Sequence, residues 1–251
     1  LILQTGIYNI TKERIIPFTE EEIEEGLKNM RQELTMGEGD DAYTLVARKI
    51  EDSRPPAVWA GSPGCPTPEN IFYENVLSTA KEPVIDLMTC GSMIDVDGHQ
   101  VKNGEATEVL AVRREMQYLR KALEEAGRPG MGLLAAESAV TSVGDLSAVA
   151  PGMLRSTDSH LIVFLNELII DTDNLCRVAN SFDTDIKNAS LACTMVGGLA
   201  GDAPGGCISM MASIMAANVL GNADYHLCHP IHIKDIATTA RGCLWLQSVL
   251  C

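Results

Sequence analysis

At 251 residues the chain is long enough for one large α/β domain or two small ones, with a substantial core. Its 34 acidic against 19 basic residues give a formal charge of −15. That field repels phosphate backbones and anionic lipid, and so argues against nucleic acid and membrane surfaces as partners. Eight cysteines, at 65, 90, 176, 193, 207, 228, 243 and 251, are scattered without a C-x-x-C pair. In a chain of this length they read as free thiols in a reducing compartment, and with no charged-then-apolar leader the expected location is the cytoplasm. The most apolar run, 207–220, is broken by Ser209, Ser213 and Asn218 and is expected to be too short to span a bilayer. The chain opens on Leu1 and ends at Cys251 inside a helical-looking run, so both ends are expected to be cut.

In chain order, the first element is a helix expected over Thr19–Leu34. Thr19 and Glu22 have the spacing of a capping box, and Ile23, Leu27, Met30 and Leu34 make the apolar stripe. Strands and helices alternate after Pro56. A strand is expected at 57–60, a helix at 69–81 and a strand at 84–89. A small hairpin is expected around Asp95–Gly98. The best helix is 105–126, where Val109, Val112, Met116, Leu119 and Leu123 recur at three and four, with Gly127 and Pro129 ending it. Further strands are expected at 131–135, 153–159, 186–192 and 223–228, and further helices at 204–220 and 235–250. The run 161–170 suits a strand or the start of a helix equally well.

This alternation predicts an α/β fold of the TIM (β/α)8 type with about six βα units present. Residues 1–55 form an N-terminal extension with one helix, and 56–251 an incomplete barrel that is expected to lack its last two units, because an open edge invites aggregation.

In such a barrel the chemistry sits at the C-terminal ends of the strands. Those ends, read in order, include Gly61-Ser62-Pro63, Thr89-Cys90-Gly91, Leu134–Glu137, Asp158-Ser159-His160, Leu191-Ala192-Cys193 and His226–His232. Glu137, just past a strand end, is the best acid candidate. Gly127, Gly130 and Gly132 before it are expected to clear space for a bulky group at the barrel mouth. On an extended strand His226, Cys228 and His232 share a face, as zinc ligands would, but Pro230 interrupts the strand and no acid completes the set. Structural or substrate-contacting histidines are the alternative, and no metal is assigned. Asp158 and His160 alternate on one strand and cannot form a triad with Ser159, so they are expected to orient a loop or ligand. Glu167 lies in an apolar run and reads as structural. The glycine loop at 197–201 precedes a helix but has neither phosphate-binding spacing.

The stretches GIYNITKERIIPFTEEEI (6–23), AGRPGMG (126–132), TDSH (157–160), LNELIID (165–171), GGLAGD (197–202) and HLCHPIHI (226–233) together resemble the archaeal monomethylamine:corrinoid protein methyltransferases. The resemblance implies a TIM-barrel enzyme of methanogenesis, a cytoplasmic homo-oligomer. It would pass a methyl group from methylamine to the cobalt of a small corrinoid protein, with no cofactor bound directly. It also implies that Leu134 stands where family members carry pyrrolysine, the imine that captures the amine. Glu137 then matches the family's nearby acid, and Leu161 replaces a glutamate after the DSH motif. With Asp158, His160, His226 and His232, these two leucines make up the expected substrate-binding set. No acid is present from 188 to 194, where another is expected, and Cys228 and His229 depart from the pattern. Loss of the electrophile and loss of acids go together, because an unpaired buried carboxylate only carries a desolvation cost. A quaternary amine, with its better leaving group, would not need the imine. Two other readings stay open: a catalytically degenerate barrel that only docks a corrinoid protein, and a metal-dependent enzyme using the 226–232 histidines.

Overall fold

The computed structural model describes residues 1–49, 51–61, 66–89, 91–135, 141–163, 168–196 and 201–232, with backbone alone for 192–196, 203 and 228–232. Contacts divide the chain into two compact units, one of residues 31–161 with 179–187, the other of 1–30, 162–178 and 188 onward.

In the first unit, strands β1 (Trp59–Ala60), β2 (Leu87–Thr89), β3 (Leu133–Ala135) and the start of β4 (Ser159–Val163) run parallel, each paired with the next in chain order. Helices Glu69–Ala80 and Ala106–Glu125 make the long crossovers that parallel pairing requires. Side chains alternate between the two faces of these strands. Ala60, Met88, Leu133 and Ala135 pack into one core with Phe72, Val112, Met116 and Leu119 of the helices. Trp59, Leu87, Thr89, Leu134 and Ser159 lie on the opposite face. The register places Thr89, Leu134 and Ser159 side by side there.

The helix expected over 19–34 stops at Lys28, and Glu33–Met36 instead pairs with Tyr43–Val46 as a hairpin. Leu34 and Met36 are buried while Glu33 and Thr35 are exposed, a period of two that only a strand satisfies. The hairpin's loop docks against the start of β3. Glu38 N–H donates to the Gly130 carbonyl at 2.7 Å, and Gly130 N–H donates to Asp41 Oδ2 at 2.9 Å. A Cβ on Gly130 would collide with the Glu38 carbonyl, and one on Gly132 would lie 2.8 Å from the Gly37 nitrogen. These two glycines therefore make room for the N-terminal hairpin at the foot of β3, not for a group at the mouth. Gly127 is different: at φ +75° it ends the preceding helix in the left-handed region, with nothing near it.

In the second unit, β5 (Lys187–Val196) and β6 (Tyr225–His232) run parallel, in register from Ala189 opposite Tyr225 to Val196 opposite His232. The strand continues through Pro230, which sits opposite Thr194. Ile7–Asn9 pairs with Ile169–Ile170 on one side and Arg14–Ile16 on the other. The expected capping box forms at helix Glu20–Lys28: Thr19 Oγ1 accepts from Glu22 N–H at 3.2 Å, and Glu22 Oε2 accepts from Thr19 N–H at 2.8 Å. Helix Ala203–Gly221 carries 18 residues, Pro204–Gly221, long and apolar enough by length and composition to cross a membrane, where the sequence pattern suggested too short a run. Its Ala212, Ala216 and Ala217 lie in the unit's core with Ile7, Phe18, Ile23 and Ile162. That packing accounts for its apolar inner side, whereas Ile208 and Met211 are exposed.

Candidate functional site

The strand expected at 153–159 is β4, Ser159–Val163. Asp158 therefore stands at the foot of this strand, and the C-terminal end lies beyond Leu161. Asp158 is buried, and its carboxylate accepts from Leu133 N–H at 3.0 Å, from Arg155 N–H at 2.8 Å and from the Arg120 guanidinium. Arg120 in turn donates to the Met153 carbonyl through Nε at 3.0 Å and Nη2 at 2.9 Å. Burial pushes the Asp158 carboxyl up from its ordinary value, with Arg120 pulling the other way, and burial also pushes Arg120 down. Desolvation sets the direction of both shifts, and the two groups are buried together because a buried charge of either sign without the other is costly.

His160 is also buried. Its Nδ1 lies 3.1 Å from Asp145 Oδ1, on helix Ser142–Val149. Two residues on along β4, Ile162 belongs to a helix-packed core, and the strand's alternation puts His160 on that same side. Ser159 and Leu161 take the opposite side, the one shared with Leu134. Leu134 is 3% exposed and Leu161 half-buried, and Ser159 donates its hydroxyl to the Leu133 carbonyl at 3.1 Å. Thus Leu134 and Leu161 share a face, while Asp158 and His160 are engaged by Arg120 and Asp145.

In the second unit, His226 on β6 stands opposite Ser190 on β5, and two buried atoms there, Ser190 Oγ and His226 Nδ1, have no hydrogen-bond partner among the described residues. Burial pushes the His226 imidazole from its ordinary 6.5 down to about 4. Between those values the unfolded chain takes up a proton that the folded chain refuses, so stability is full above pH 6.5 and declines as the pH falls towards 4. The expected loss is up to about 3 kcal/mol. Urea midpoints measured at pH 7.5 and 4.5 should draw closer together in His226→Phe; an unchanged difference would assign the acid sensitivity elsewhere. Backbone alone is described for Cys228 and His232. Among the described residues no group of three or more His, Cys, Asp or Glu converges as a metal site would. Glu137 and Glu167 lie outside the described residues, as does the loop at 197–200.

The match with known proteins runs the length of the chain. Residues 1–251 fit the family model described as monomethylamine methyltransferase MtmB. The chain belongs to the monomethylamine methyltransferase family. Monomethylamine methyltransferase MtmB2 of Methanosarcina acetivorans is 34% identical, matching 100% of this chain and 55% of that protein. The Methanosarcina mazei protein is 33% identical with the same coverage. The crystal structure of the Methanosarcina barkeri enzyme superposes with a TM-score of 0.93 at 32% identity, again over 100% of this chain and 55% of that one. A hydroxylamine complex of MtmB superposes with the same score. The chain thus spans about 55% of the length of the curated relatives it matches, and its α/β architecture is that of a partial (β/α) barrel.

Within this monomethylamine methyltransferase fold, several engaged residues have no part in the motifs read from the sequence. Glu108 and Glu115 are buried on the inner face of helix Ala106–Glu125. Glu108 accepts from Thr141 N–H at 2.8 Å and from Gly104 N–H at 2.6 Å, and Glu115 accepts from Met93 N–H at 2.7 Å. Each carboxylate thereby accepts from backbone amides outside the main strands and helices. Their signal was available: two carboxylates seven residues apart on an apolar stripe are rarely solvated. For Arg120 and Asp145 there was no such signal, because their partners come from other elements.

Proposed function

We propose that the protein to which this chain belongs transfers a methyl group from a methylated amine to the cobalt of a corrinoid carried by a small partner protein. The observation that carries this reading is the family match over all 251 residues. In the transfer the methyl carbon leaves nitrogen, which keeps the bonding pair, and joins the metal. Leu134 and Leu161, on one face of β3 and β4, line the substrate side of the site, and Glu137 handles any proton the departing amine exchanges. Asp158 and His160 hold the strand on which Leu161 sits, through Arg120 and Asp145. His226 and His232, on β6, are assigned to substrate contact from the resemblance alone. Where an imine is expected, Leu134 offers only van der Waals contact, so methylation of the amine has to supply the activation.

The test is methyl transfer by the full-length protein to a cob(I)alamin-bearing partner, followed by the corrinoid absorption spectrum, with mono- to tetramethylated amines as donors. A spectral change with at least one amine is expected, and no change across the panel would overturn the reading. The aliphatic Leu134 and Leu161 favour a second reading, a barrel that docks a corrinoid protein without turnover; stable capture of that partner with no methyl transfer is its signature. A metal-dependent reaction through His226, Cys228 and His232 predicts stoichiometric metal in the purified protein.

A further inference from the structure

The hairpin Glu33–Met36/Tyr43–Val46 is a sheet of two strands only, so Tyr43–Val46 has an outer edge with no strand beside it among the described residues. The ladder's phase shows which groups face outward. Ala47 N–H donates to the Gln32 carbonyl at 2.8 Å, which makes 32 and 47 a hydrogen-bonded pair. Such pairs alternate along an antiparallel ladder, so 34 with 45 and 36 with 43 are hydrogen-bonded too. Thr35 and Thr44 form a non-bonded pair, and their hydroxyls meet at 2.9 Å, as the closer side chains of that pair type allow. The N–H and C=O of Thr44 and Val46 therefore point away from the partner strand.

A cleft of about 300 Å³ lies along this strand. Tyr43–Val46 form one wall, and Arg48 with Arg54–Ala57 the other; no residue of Glu33–Met36 lines it. That volume is at the lower end of the range for binding sites. Leu45, Val46, Pro55 and Pro56 make much of the lining apolar, and among the described residues its charges are the two guanidinium groups. Arg54 is held by Asp52, which accepts from Nε at 2.9 and 3.0 Å and from Nη2, yet its side chain stays 54% exposed, so a second carboxylate can approach the same guanidinium. In a chain of charge −15, two cations beside an unused strand edge are a local exception.

We propose that this cleft binds an extended, acidic segment of another protein, which adds a third strand to the hairpin. Backbone groups of Thr44 and Val46 supply the ladder, the apolar lining takes alternate side chains, and Arg48 and Arg54 take carboxylates. The site is separate from the methyl-transfer reading and survives its failure.

The test uses the full-length protein and a fluorescein-labelled pentapeptide of alternating valine and glutamate, titrated by fluorescence anisotropy at low and at high salt. Saturable binding is expected, weaker at high salt. Both Arg48→Ala and N-methylation of the alternate peptide amides that would face the edge are expected to weaken it roughly tenfold, as the loss of a charge contact or of two hydrogen bonds implies. Arg48 is exposed, so the variant should fold as the parent does, which its unfolding midpoint verifies. No saturable binding, equal binding of the N-methylated peptide, or displacement by glutarate at the peptide's own concentration would each overturn the proposal; the last would mark a site for small anions instead.

Discussion

Gly130→Ala is expected to destabilise the protein by about 3 kcal/mol or more, a cost at the upper end of overpacking. The new methyl group would meet the Glu38 carbonyl, and that oxygen cannot move aside as the tip of a side chain could. The loop around it is fixed from several directions. Glu38 N–H is bonded to Gly130 itself, Glu38 Oε2 accepts from Arg155 Nη1 at 3.0 Å, and Gly37 N–H donates to the Thr157 carbonyl at 3.0 Å. Relief of the clash would separate the hairpin from the feet of β3 and β4. Gly127→Ala, only a few residues earlier, meets nothing within 4 Å and carries only the strain of a left-handed residue, roughly 1 kcal/mol. Urea unfolding of the two variants beside the parent separates the cases. Equal midpoints for Gly130→Ala and the parent would show that the hairpin is not docked as described.

Asp158→Ala should be as damaging, at about 3–5 kcal/mol, because it removes one partner of a buried ion pair and leaves the other charged. Arg120, whose side chain is 15% exposed, would keep only the Met153 carbonyl, and the amides of Leu133 and Arg155 would lose their acceptor. Removing both charges, as in Arg120→Met with Asp158→Leu, should cost clearly less than the sum of the two single changes, since neither charge is then stranded. The double-mutant cycle from urea midpoints measures that coupling. A coupling near zero would mean that Asp158 matters only through its two backbone contacts. Either outcome is independent of methyl transfer, so a loss of activity in Asp158→Ala with an unchanged midpoint would instead mark Asp158 as part of the reaction.

Much of the fold was legible because its causes are local. The Thr19–Glu22 box needs two side chains and two amides three residues apart, and it formed as the spacing indicates. The stripe of helix Ala106–Glu125 and its end at Gly127 follow from period and from one backbone angle. The motifs at 126–132, 157–160 and 165–168, taken together, indicate the family.

What lay beyond reach depended on partners distant in the chain. Glu33–Met36 became a strand because Tyr43–Val46 offered it a ladder, which outweighed the helical stripe. A strand read over 153–159 puts Asp158 near its C-terminal end, whereas pairing to β3 starts the strand at Ser159 and leaves Asp158 at its foot.

From the sequence alone came the α/β class, the strand–helix alternation after Pro56, the capping box at Thr19 and the family, all carried by residues close together or by motifs read as a set. Tertiary structure alone decided that Gly130 and Gly132 face a hairpin loop, that Asp158 and His160 are taken up by Arg120 and Asp145, and that Leu134 and Leu161 share a face. The physical reason is the same in each case. Which side of a strand a residue occupies turns on a register of single residues, and register is set by hydrogen bonds to chain that composition does not reveal.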